Sequence, residues 1–132
     1  MATLVDKKLL GHPAAQSVEI VRVKYDFSKD GGAVGNWEVF EADSPVVVKM
    51  RGVHVSTAFT SGGSATISAG KGASGTEFLS ASAVAGFSAG AAVQPASHNA
   101  VKLATGEKIH LAVGTAALTA GVAEVVLEIG AF

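Results

Sequence analysis

From Ser17 onward the chain keeps returning to one pattern, an apolar residue followed by a polar one. "SVEIVRVKYDF" sets Val21, Val23, Tyr25 and Phe27 against Arg22, Lys24 and Asp26. Period two is the repeat of an extended strand with one buried face, and β-branched and aromatic residues suit that pleated surface. "NWEVFEA" repeats the pattern, with Trp37 and Val39 on one side and Glu38 and Phe40 on the other. "SPVVVKMRGVHVSTAFT" is longer. Pro45 suits its first position, and Gly52 marks a bulge that switches the facing side. Beyond it, Val53, Val55, Thr57 and Phe59 alternate with His54, Ser56 and Ala58. "SATISAG" turns Ala65, Ile67 and Ala69 inward, and "AVKLAT" does the same with Val101 and Leu103. The stretch from Ala104 to Gly130 reads as a hairpin. Its arms carry Ile109, Leu111 and Val113, then Val125, Leu127 and Ile129, with Thr119, Ala120 and Gly121 in the connection. Thr76 to Val84 is open between a short helix and an irregular strand.

Turn residues punctuate these segments, at Asp30-Gly31-Gly32 and at Ser61 to Gly63. About seven or eight strands with little helix between them predict an all-β domain. The expected architecture is an antiparallel β-sandwich, jelly-roll-like, with less than about a tenth of the chain in helix. The sole tryptophan, Trp37, is expected to be buried. Residues 1–16 stand apart as a short N-terminal arm, and 17–132 form the single β domain. In the arm Leu4, Val5, Leu9 and Leu10 are apolar, and Gly11, His12 and Pro13 then break any helix. These four apolar residues are the interface candidates.

Composition narrows the function. The 132 residues carry a formal net charge of -1 and no cysteine. Near-neutrality argues against an electrostatic nucleic-acid binder and against a polybasic membrane binder. Without cysteine there is no disulfide framework, thiolate catalyst or sulfur-based zinc site. No long apolar run points to a leader or a bilayer span, so folding in the cytoplasm is expected. Charged residues are 16% against a usual value of about 25%, while hydrophobic residues reach 48% with only 6% aromatic. Alanine, glycine, serine and threonine stand where charge is usual. A surface of small neutral residues suits close packing against another protein.

Reactive constellations do not emerge. His12, His54, His98 and His110 lack metal-pair spacing, and an exposed ring is expected for His54 and His110. "TSGGSAT" reads as a hairpin connection and "GKGASGTEF" as a loop, since neither has the glycine and lysine spacing of a phosphate cradle. Asp26 and Asp30 flank a turn, where a carboxylate usually caps backbone amides. Glu124 and Glu128 mark the solvated face of the last strand. The expectation is a protein that is not an enzyme, with no catalytic residues, no metal and no cofactor.

Three segments together resemble small virion structural proteins of tailed bacteriophages: "YDFSKDGGAVG", "TSGGSATISAG" and "AVKLATGEKIHLAVGTAALTAGVAEVVLEI". The likeness spans most of residues 18–132 and rests on turn-and-strand signatures. It implies a β-sandwich on the particle, made in the host cytoplasm, with capsid decoration (cement) as the natural role. The implied partners are the major capsid protein and the chain itself, as a homotrimer, with no nucleic acid and no membrane. A head-to-tail or tail component and a receptor- or glycan-binding module remain alternatives.

Overall fold

A computed structural model describes residues 2–10, 18–73, 75–95 and 100–131; in the first strand it describes the side chains of Leu4 and Lys7. The fold is all-β. Its strands are β1 (Ala2–Leu10), β2 (Val18–Asp26), β3 (Gly35–Ala42), β4 (Val46–Ser61), β5 (Thr66–Lys71), β6 (Leu79–Ala83), β7 (Ala92–Val93), β8 (Val101–Leu103), β9 (Lys108–Gly114) and β10 (Leu118–Ala131). Helix among the described residues is one turn, α1 (Phe27–Asp30), and a 3-10 turn at Val84–Gly86. The open segment around Thr76 to Val84 therefore resolves as strand β6 leading into that turn.

Two sheets form. The first runs β1-β3-β9-β5-β6, the second β2-β10-β4-β7, with β8 beside β4. Pairing is antiparallel except between β1 and β3, which run parallel. Both sheets contribute to one buried apolar cluster, which takes Trp37, Phe40, Ile67, Ile109 and Leu111 from the first and Val23, Tyr25, Met50, Leu127 and Ile129 from the second.

The stretch from Ala104 to Gly130 is not a hairpin. β9 pairs with β3 and β5, whereas β10 pairs with β2 and β4. Thr115 takes φ 72°, and the three residues Thr115, Ala116 and Ala117 carry the chain from one sheet to the other. Thr119, Ala120 and Gly121 belong to β10. Alternation reports that a strand has one apolar face. It is the same whether its sequence neighbour lies beside it in one sheet or opposite it across a core.

Bulges adjust the facing of two strands. At Gly52 (φ 151°) the partners step from Leu127↔Met50 to Val126↔Gly52, so Arg51 is the extra residue. Met50 and Val53 are then both buried, as the switch expected there requires. A second irregularity departs from simple alternation. Glu38 pairs with His110 and Phe40 with Ile109, leaving Val39 extra. Phe40 therefore joins Trp37 inside instead of facing away with Glu38. Thr57 is exposed, because a register shift separates it from Val55.

Polar ends of the inner aromatics hold the α1 turn. The Tyr25 hydroxyl donates to the Gly31 carbonyl, and Trp37 Nε1 donates to the Asp30 carbonyl at 3.2 Å. Their rings meet edge to face at 6.1 Å. Asp26 caps α1 as expected, its carboxylate accepting from the Ser28 N–H at 3.0 Å, while Asp30 accepts from the Asp26 N–H at 2.9 Å. Burial, then the charges of Asp30 and Asp26, push the Tyr25 hydroxyl up to about 12. A raised folded value stabilises the fold fully below the unfolded value of about 10, and that contribution is lost as pH rises through about 12. Because the chain has one tyrosine, tyrosinate absorbance follows this group alone. The folded protein is expected to titrate near 12 and the denatured one near 10. A common midpoint would contradict the burial account.

Candidate functional site

The four interface candidates all lie on β1. It occupies the edge of the first sheet, paired in parallel to β3; the sequence reads this stretch as a short arm able to pack on its own domain or on a neighbour. Leu4 is 2% exposed and packs in the core. Val5, Leu9 and Leu10 have backbone positions on β1, and their side chains lie outside the described residues, as do His12 and His98. Leu9 and Leu10 stand opposite Glu41 and Ala42.

The outer face of the first sheet gathers charge around the β1-β3-β9 ladder. Lys7 Nζ lies 3.0 Å from Glu41 Oε1 and 3.5 Å from Glu38 Oε1, and Lys108 Nζ lies 3.4 Å from the same Glu38 oxygen. Partial burial pushes the Glu38 carboxyl up, but Lys108 and Lys7 outweigh it and hold it below the usual range. The Glu41 carboxylate raises Lys7 in turn.

His110 stands between Glu38 on β3 and Gly70 on β5. Sequence reasoning expects an exposed ring, yet His110 is 4% exposed and neither ring nitrogen has a hydrogen-bond partner among the described residues. Polar neighbours along one strand do not reveal what neighbouring strands and loops place over a residue. Here the loop after β5 folds back onto the sheet at Gly70, where a Cβ would come within 2.4 Å of the Gly75 carbonyl carbon. Only a glycine at position 70 admits that approach.

Beside His110 opens a cleft of about 500 Å³, bordered by Lys71, Glu77, Glu107 and Lys108. Its carboxylates hold backbone. Glu77 Oε1 accepts from the Lys71 N–H at 3.0 Å, and Glu107 Oε1 accepts from the Ala104 N–H at 2.7 Å. Glu107 Oε2 also lies 2.9 Å from Lys71 Nζ. The Ala104 amide, then Lys71, lowers the Glu107 carboxyl. "GKGASGTEF" thus acts as a loop strapped to the sheet by its own glutamate. Among the described residues, no three His, Asp or Glu side chains are placed to hold a metal ion.

The outer face of the second sheet also carries cross-strand ion pairs. Arg22 on β2 meets Glu124 on β10 at 3.3 Å, and Arg51 on β4 meets Glu128 at 3.5 Å. Glu124 and Glu128 are partly exposed on that face, as alternation along the last strand indicates. His54 is exposed there too, as expected. No helix among the described residues is long and apolar enough to cross a membrane. No family model, curated protein or solved structure matches the chain.

Proposed function

We propose that the chain is a non-enzymatic structural protein of a tailed-bacteriophage virion, a capsid decoration (cement) protein that binds the major capsid protein lattice and stabilises the head. Within that reading the two sheets are the halves of a jelly-roll-like sandwich, and three copies act together. The observation that carries it is how the chain employs its reagent-type side chains. Asp26, Asp30, Glu77 and Glu107 accept backbone N–H groups, and Lys7, Glu38 and Lys108 bind one another across strands. They secure turns and ladders, leaving broad sheet faces as the functional part. The resemblance of the strand-and-turn segments supplies the particle.

A cement protein adheres better to the expanded lattice than to other states and adds its binding free energy to that state. Three weak contacts facing symmetric sites hold tightly through effective concentration. Heads carrying the protein are expected to resist heat and osmotic rupture better than heads lacking it. Electron microscopy should show density at symmetric lattice positions. Identical rupture with a bare shell would remove the cement role, and label at the tail would move the protein there.

A further inference from the structure

We infer that the outer face of the second sheet is a docking face for an acidic protein surface. Five basic side chains point outward from it: Arg22 and Lys24 on β2, Lys49 and Arg51 on β4, and Lys102 on β8. Glu124, Glu128 and, at the end of β2, Asp26 oppose them among the described strand residues, which gives this face a net charge of +2 on a chain whose total is -1. The charge is therefore segregated, and the composition of the whole chain conceals it.

The arrangement fits a protein better than a polyphosphate. β10 lies between β2 and β4, so its two glutamates run down the middle of the face between two basic rows. A continuous line of phosphates crossing the sheet would meet those carboxylates, whereas separate Asp or Glu side chains can settle on either flank. Arg22 and Arg51 are each 56% exposed in their side chains and touch their glutamates through one guanidinium nitrogen. Each planar guanidinium carries five N–H donors in a fork that matches a carboxylate. Between the arginines, Val126 floors a depression of about 280 Å³ that Ile20 and His54 also border. Val18 and Ile20 are 58% and 50% exposed at one end of β2. An apolar side chain flanked by carboxylates is the matching partner feature.

The inference takes the particle-bound role proposed above as its setting, and its test separates the two. The full-length protein and the quadruple variant R22Q/K24Q/K49Q/R51Q are compared, with K29Q as a charge control in α1. Unchanged circular dichroism and Trp37 emission establish that each is folded. The probes are isolated expanded heads that lack the protein, poly-L-glutamate, short duplex DNA and phosphatidylserine vesicles.

Head binding that weakens at least tenfold in the quadruple variant, falls with added salt and survives in K29Q is the expected result. Equal head binding by the quadruple variant and the unaltered protein overturns the docking face and leaves the cement role standing. If neither binds heads but poly-L-glutamate retains the unaltered protein and releases the variant, the docking face stands and the cement role falls. Tighter retention on DNA or vesicles than on poly-L-glutamate overturns the assignment to an acidic protein. Failure to bind any probe overturns both.

Discussion

Replacing Phe40 with alanine should cost the fold about 3–5 kcal/mol, the range for a fully buried aromatic truncated in a packed interior. The ring is 0% exposed and lies inside the cluster shared by the two sheets. It is there because the Val39 bulge turns it inward beside its cross-strand partner Ile109. β3 is clamped on both sides, by β1 and by β9, so its backbone cannot readily close the void. Urea unfolding followed by the emission of Trp37, which is 3% exposed, measures the change. A loss below about 1 kcal/mol would mean that Phe40 faces solvent, as simple alternation along "NWEVFEA" has it. Leu111→Ala, on the adjacent strand β9, is expected to cost about 2–5 kcal/mol by the same mechanism.

Gly121→Ala is the second large effect, and it works by addition. Gly121 adopts φ 147°, where a side chain is strained, and a Cβ there would stand 2.7 Å from the Phe59 ring. Phe59 cannot easily retreat, because its ring lies between those of Tyr25 and Phe87, each 5.6 Å away. Backbone strain and overpacking each cost about 1–3 kcal/mol, so a combined loss of about 2–6 kcal/mol is expected. Gly130→Ala on the same strand is the control, since a Cβ there meets nothing within 4 Å. Equal melting temperatures for the two variants would refute the close approach of Gly121 to Phe59.

The chain by itself determined most of its strands and most of their inward faces. Val21, Val23, Ala65, Ile67, Ala69, Leu103, Ile109, Leu111, Val125, Leu127 and Ile129 are all buried where period two puts them. That pattern is local: a two-residue repeat, β-branched side chains and glycine turns act within one segment, so one segment suffices to read them. The Gly52 switch and the Asp26 cap were legible for the same reason. What only the tertiary structure decided concerns which strands meet. β9 and β10 part into different sheets, Ala2–Leu10 becomes an edge strand with Leu4 in the core, and a bulge turns Phe40 inward. His110 disappears beneath its neighbours, and five basic side chains drawn from three separated strands converge on one face. Each of these depends on pairing between segments distant in sequence. Pairing is chosen by the summed packing of whole sheets, and no single segment carries that quantity.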